Sequence, residues 1–222
     1  MRRLLLYFAI FLTLPCSADR LTLSNSESAD RFNPEAAARA QDIFSLADIE
    51  LAIEVLPNHR ALIAADQGSV DGVLSRVSYS ESYTSNLVRV PTAIEVLNYY
   101  AFVEQGQACP QANDVFYLDA VIVRGLPYFD YLAQRSEANL FVASDLSSGI
   151  QMLEAGRGQF SIAPIEVRGI LSQALGLQFC ESEPIYQLES YIYLHKKNEH
   201  LVPRINDAIQ RYFEQADAGE QS

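Results

Sequence analysis

Arg76 and Arg124 are the residues whose type and setting best suit chemistry. Arg76 lies at the end of the strand expected from Val70 to Val77. It precedes the polar stretch Ser78-Tyr79-Ser80-Glu81-Ser82-Tyr83. In open α/β sheets ligands lie beyond the carboxyl ends of the strands. A guanidinium there can clamp a carboxylate or phosphate in bidentate fashion. The competing role is a surface arginine paired with Glu81 or Asp71. Arg124 stands before Gly125 and a helix start at Pro127. It would add positive charge to the same cleft, and the first amides of that helix could hold an anion; bonding within a hinge is its alternative. Ser24, Asn25 and Glu27 follow an apolar strand and could line the cleft, or cap the next helix. Glu166 opens a helix, where the dipole favours a carboxylate in any case. Tyr79, Tyr83 and Tyr128 could stack on a ligand, although tyrosines more often serve as core or rim. The expected ligand-binding set is therefore Arg76, Arg124, Ser24, Glu27, Tyr79, Tyr83 and Glu166.

Signatures of enzymes are missing. There is no G-x-S-x-G, no H-E-x-x-H and no P-loop. Gly156-x-Gly158 ends a helix rather than following a strand, so a dinucleotide reading fails on context. His195 and His200 straddle a strand-to-helix break, away from metal spacing. No catalytic residue, cofactor or metal is expected. Acidic residues outnumber basic ones 28 to 16, a net charge of −12. Such a surface repels phosphate backbones and argues against a nucleic-acid partner. With 49 % hydrophobic and 20 % charged residues among 222, the chain is neither disordered nor low in complexity.

Met1-Arg2-Arg3 followed by the apolar run Leu4 to Leu14 has the pattern of a secretory signal peptide. The run is shorter than the roughly 20 residues a membrane span needs. Cys16-Ser17-Ala18 supplies small residues, so cleavage is expected after Ala18, with a soluble protein in the periplasm. The stiff Pro15 before Cys16 argues against a lipid anchor. Cleavage leaves Cys109 and Cys180, and an even pair in an oxidising compartment suggests one disulfide. It would close a loop of about 70 residues, worth about 4 kcal/mol in the chain-entropy model. Two separate buried thiols are the alternative.

Hydrophobic periodicity then lays out the elements. Strands are expected at Arg20 to Ser24, Ile49 to Leu56 and Val70 to Val77. Between them come a loop at Asn25 to Asn33, a helix at Glu35 to Leu46 and an Asn58-capped helix to Gln67. This β-α-β-α-β order implies a parallel sheet with crossover helices. Extended segments at Leu87 to Val103 and Tyr186 to His195 flank a second unit. That unit has strands at Ala120 to Val123, Asn139 to Ala143 and Phe160 to Ala163. Its helices are expected at Pro127 to Gln134, through Glu154, and at Ile165 to Leu175. Leu201, Ile205, Ala208, Ile209, Tyr212 and Phe213 mark one face of a C-terminal helix, with a frayed tail after Gln215. The expected organisation is a signal peptide (1–18), the first part of lobe one (19–95) and lobe two with hinge strands (96–190). The return to lobe one (191–216) and a tail (217–222) complete it. Two lobes around a cleft can close on a hinge.

Several segments resemble bacterial extracellular solute-binding proteins of family 3. Gly68-Ser69-Val70-Asp71-Gly72-Val73-Leu74-Ser75-Arg76-Val77 is similar to their "helix, G-x-x-D-G, strand, R" segment. Leu87-Val88-Arg89-Val90-Pro91 is similar to the start of their hinge strand. Val121-Ile122-Val123-Arg124-Gly125 resembles the strand and turn that open lobe two. Gly156-Arg157-Gly158-Gln159-Phe160 resembles their "G-R-x-D" turn. Ser190 to Lys197 with Leu201 to Asn206 resembles the returning hinge strand and final helix. The resemblance covers most of the chain after the leader. It implies a two-lobed, periplasmic-binding-protein-like α/β fold, each lobe a small, mostly parallel sheet flanked by helices. It also implies capture of a small anionic or zwitterionic, amino-acid-like solute by a monomer, for an ABC-type transporter or a sensor. Three positions depart from the family pattern. Tyr83 stands where members that take α-amino acids carry an arginine. Leu126-Pro127 replaces a hydroxyl pair, and Glu166 corresponds to the amine-binding aspartate. The anion anchor is therefore expected at Arg76. Two other functions fit the same fold. One is a small-acid dehydratase-like enzyme using a desolvated Glu166 or Glu27. The other is a protein-interaction module without a ligand.

Overall fold

A computed structural model describes residues 19–77, 84–111, 114–123, 128–144, 146–165, 168–169, 172, 176–180 and 183–220. The leader with its cleavage site, Tyr79, Tyr83, Arg124 and Glu166 lie outside the described residues.

The chain begins with two parallel strands, β1 (Asp19–Ser26) and β2 (Ile49–Leu56), in unbroken register from Asp19↔Ile49 to Ser26↔Leu56. Alternation sends Leu21 and Leu23 to one face. They meet Ala40, Ile43 and Phe44 of helix α2 (Pro34–Leu46), all in one core. Burying a side chain of the size of Ile43 or Phe44 contributes about 1.5–3 kcal/mol. The segment expected to be a loop differs. The strand runs through Ser26, and a short helix α1 (Glu27–Phe32) follows. The Ser26 hydroxyl accepts the Ala29 N–H at 3.1 Å, and Glu27 and Asp30 suit the helix's positive end. Helix α3 (Asn58–Asp66) crosses on the other face and leads into β3 (Gly72–Val77). Pro57, not Asn58, occupies its N-cap, with no side-chain cap bond.

The G-x-x-D-G run has a physical basis. Gly68, with φ +73°, turns the chain after α3. Asp71 Oδ2 accepts the Thr22 N–H at 2.8 Å, and Asp71 N donates to Thr22 O at 2.7 Å. A Cβ at Gly72 would lie 2.2 Å from Tyr193 O and 2.9 Å from Leu23 Cδ2, so glycine alone lets β3 slide between its neighbours.

The rest of the sheet continues through β4 (Leu87–Arg89) and the long strand β5 (Glu95–Val103). The second half of the sheet adds β6 (Ala120–Val123), helix α4 (Tyr128–Arg135), β7 (Leu140–Ala143) and helix α5 (Leu146–Glu154). Next come β8 (Phe160–Pro164), β9 (Gln178–Phe179) and β10 (Tyr186–His195). Of the helix expected at Ile165 to Leu175, residues 165, 168, 169 and 172 are described, the first in a 3-10 turn and the other three in α-helix. The ten strands make one sheet, ordered β2-β1-β3-β10-β5-β8-β6-β7, with β4 also on β10 and β9 on β5. Two strands cross between the halves. β10 pairs with β5 at its start and with β3 and β4 at its end. After a 3-10 turn, Lys196–Leu201, helix α6 (Val202–Glu220) packs Ile205, Ala208 and Ile209 into the first core. The alanine-containing polar run from Glu214 to Glu220 prolongs this helix past Gln215, where fraying was expected.

A second core joins Tyr99, Ala101, Ile122, Leu132, Phe160 and Ile162 with Cys180. Cys109 and Cys180 are disulfide-bonded, with Cα atoms 5.6 Å apart and a sequence separation of 71. The alternative of two separate thiols is thereby excluded. Among the described residues no helix is long and apolar enough to cross a membrane.

Candidate functional site

The first half of the sheet has a topological switch. β1 connects to β2 through α2 on one face, while β2 connects to β3 through α3 on the other. Connections thus diverge from the carboxyl ends of β1 and β3, the place where open α/β sheets hold ligands. β10 passes the end of β3 as it crosses between the halves, with Ser190 opposite Val77.

Arg76 stands at this edge as the penultimate residue of β3, and an irregularity in pairing sets its face. Tyr193 faces Val73 and Tyr191 faces Arg76, so two steps along β10 match three along β3. Such a bulge re-aims side chains. Here it turns Arg76 to the side of the sheet shared by Tyr191 and Tyr193, since directly opposed residues share a face. Ser75 Oγ meets Ser190 Oγ at 2.6 Å across the same crossing. Arg76 is half-buried, and its Nη1 donates to Ser75 O at 3.1 Å.

Further groups gather around Tyr191. Arg89, opposite Tyr193 on β4, lays its guanidinium carbon 4.7 Å from the Tyr191 ring centroid. The Tyr191 hydroxyl donates to Glu189. Arginines from two flanking strands thus bracket one tyrosine of the central strand. Neither Arg89, Tyr191 nor Glu189 was among the expected site residues. Their segments were legible as hinge strands, but only the pairing register brings them together. On the other side of the crossing, a cavity of about 370 Å³ opens between Arg39, Ile94, Glu95, Val96 and Phe213. There Asn33 Nδ2 donates to Glu95, and Arg39 Nη1 donates to Ile94 O at 2.8 Å.

The remaining expected residues divide. Ser24 is fully buried, and its hydroxyl donates toward Ala61 O at 2.8 Å and Gly72 O at 3.2 Å. That corrects its expected place on the cleft wall: it staples β1 to α3 and β3. Glu27 is exposed in the first turn of α1, without the desolvation that acid catalysis by a carboxylate would need. Tyr128 opens α4. Asn25 is 1 % exposed at the end of β1.

Away from the crossing, Asp71 anchors the turn before β3. Burial alone would raise its carboxyl. The Thr22 N–H and the Lys197 and Asn198 side chains outweigh that and hold it below the ordinary carboxylate value. Lys197 Nζ lies 3.0 Å from Asp71 Oδ1, and Asn198 Nδ2 donates to the same oxygen at 3.1 Å. His195 accepts the Lys197 N–H on Nδ1 at 3.2 Å, capping the 3-10 turn. Among the described residues no group of three or more His, Cys, Asp or Glu is placed to hold a metal ion.

No family model matches the chain, and no curated protein matches it in sequence. Solved structures match it in fold. A histidine kinase sensor domain with similarity to periplasmic binding proteins aligns with TM-score 0.70 at 13 % identity, over 89 % of this chain and 92 % of that one. The amino acid ABC transporter substrate-binding protein AbpA of Streptococcus pneumoniae, bound to L-arginine, gives 0.68 at 14 %, over 90 % and 92 %. The periplasmic VFT2 domain of Bordetella pertussis BvgS gives 0.67 at 14 %, over 87 % and 88 %. At these identities the likeness is one of fold, and the fold is the two-lobed, periplasmic-binding-protein-like one that the motifs implied.

Proposed function

We propose that this chain is a periplasmic solute-binding protein. It captures a small anionic or zwitterionic, amino-acid-like solute between its lobes and presents it to an ABC-type transporter or a sensor. The observation that supports this most is the bulge that sets the face of Arg76 at the carboxyl edge of the first half-sheet, where the crossing strand passes. A solute carboxylate taken out of water needs a charged partner that also donates hydrogen bonds, and a guanidinium fork supplies two such bonds. Arg124 is proposed to oppose Arg76, with Tyr79, Tyr83, Tyr128 and Glu166 along the walls. Glu27 stands at the exposed rim. The fold is shared with proteins described as binding L-arginine for transport and with sensor domains, so both kinds of partner suit the reading. The disulfide suits an oxidising compartment outside the cytoplasm, reached after cleavage at Ala18. Capture without catalysis completes the proposal.

The test is calorimetric titration of the mature chain with amino acids and small organic acids, repeated on Arg76→Ala and Arg76→Lys. Arg76→Ala is expected to lose about 2–5 kcal/mol of binding, the cost of removing one partner of a buried charge pair. Arg76→Lys should also bind more weakly, because an ammonium lacks the planar fork. Equal affinity in wild type and Arg76→Ala would remove Arg76 as the anchor.

A further inference from the structure

The described residues include four buried polar side chains in the two halves: Ser24, Asn25, Ser26 and Ser190. Three are consecutive at the carboxyl end of β1, and the fourth sits where β10 passes the end of β3. Three of the four are satisfied within the protein. Ser24 has the Ala61 and Gly72 carbonyls, Ser26 accepts the Ala29 N–H, and Ser190 meets Ser75. Asn25 is the exception. Its Oδ1 accepts the Ser26 N–H at 3.0 Å, while its Nδ2 is the buried side-chain nitrogen left without a partner.

The bond to Ser26 fixes which way the amide points. Turning it over would set a donor against the Ser26 N–H, so the orphan atom is a donor. Buried donors are almost always paired in folded proteins, and one left unpaired is costly. With its neighbours all satisfied, loose packing does not account for it. Its position at the topological switch does, if the partner arrives from outside. From this we infer that Asn25 is a specificity residue, whose Nδ2 donates to an acceptor oxygen of the captured solute. A carboxylate or amide carbonyl meets that need, whereas an ammonium or guanidinium head does not. Helix α1 packs against β1 and β2 beside Asn25, so the solute would reach the buried amide by displacing α1. The inference rests on the solute-binding reading and narrows the class of solute that this edge accepts.

The experiment titrates the mature chain with L-glutamate, L-glutamine, succinate and agmatine, a guanidinium-bearing amine without a carboxylate, by calorimetry. It repeats this on Asn25→Asp and on Asn25→Ser, whose shorter side chain withdraws the donor from the solute without adding a charge. Thermal melts confirm that each variant folds, and Asn25→Ser serves if the buried charge of Asn25→Asp unfolds the chain. Wild type is expected to bind at least one of the three acceptor-rich probes more tightly than agmatine. Each variant should weaken that binding about ten- to a hundredfold, the range for losing a hydrogen bond to a charged or strongly polar oxygen. Unchanged affinity in folded variants, or binding of agmatine alone, overturns the role of Asn25 and leaves solute capture standing. Binding of none of the four probes to wild type overturns solute capture for this class, and the role of Asn25 with it.

Discussion

Asp71 shows how one side chain can tie three parts of the chain together. Its carboxylate takes the Thr22 N–H from β1 and both Lys197 and Asn198 from the turn after β10. These partners favour the ionised form, so the folded protein holds it below its ordinary value. A depressed carboxyl adds stability that is complete above the unfolded value, near about 3.9, and disappears as pH falls through the folded value. Wild type should therefore lose stability on acidification over that window. Asp71→Asn should lose less, while being weaker at neutral pH by about 1–2 kcal/mol for the lost charge-assisted bonds. Urea midpoints measured from about pH 2 to pH 7 check both arms. Parallel acid limbs in the two proteins would mean that other carboxylates govern the acid response. Chemistry at this scale was only partly legible beforehand. Asp71 belonged to a recognisable run, but its partner Lys197 lies far along the chain. Ser24 showed its hydroxyl in sequence and hid that two carbonyls claim it. The orphan nitrogen of Asn25 depends on every neighbour at once, which no local pattern records.

Among the elements, the strands with clean alternation stand where periodicity put them. Tyr186–His195 and Ile49–Leu56 match residue for residue. Hydrophobic period follows the pleat, so such strands announce their own ends. β3 behaves otherwise. Val70 and Asp71 read as strand, but they precede it: Val70 N bonds back to Ala64 O in the turn after α3, and Asp71 N bonds to Thr22 O of β1. The bulge that re-aims Arg76 depends on how β10 lies against β3, a property of the pair rather than of either segment. Arg89 joins Tyr191 for the same reason. The central place of β3 between β1 and β10 rests on Gly72, whose missing Cβ leaves room for the Tyr193 carbonyl. Gly72→Ala should push two strands apart and cost about 3 kcal/mol or more, at or beyond the usual range for overpacking. Denaturant unfolding of the purified variant measures this. A loss under about 1 kcal/mol would show that the sheet absorbs a methyl there, contrary to the close approach described.

Across the whole molecule, the disulfide and the two crossing strands divide the work. The bond encloses the stretch from Cys109 to Cys180, which contains β6 to β9. Replacing both cysteines with serine should cost about 2–5 kcal/mol. Amide exchange should speed up in β6 and β8 more than in β1 and β2. Equal acceleration in both halves would mean that the two unfold as one unit. The two-lobed plan was legible because each half repeats its own β-α-β order. The position of β10 has a further consequence, for the growing polypeptide. Among the described strands β10 is synthesised last, yet it sits in mid-sheet between β3 and β5. Helix α6, which seals the core over β1 and β2, is made later still. Contacts of such long sequence separation form slowly and late. The internal half can pair its strands and close its bridge while the first-made strands still wait, with β3 offering an unpaired edge. A nascent chain stalled before Tyr186 would therefore present that edge to its neighbours, a common route to aggregation. The half of the protein made first is the half that finishes last.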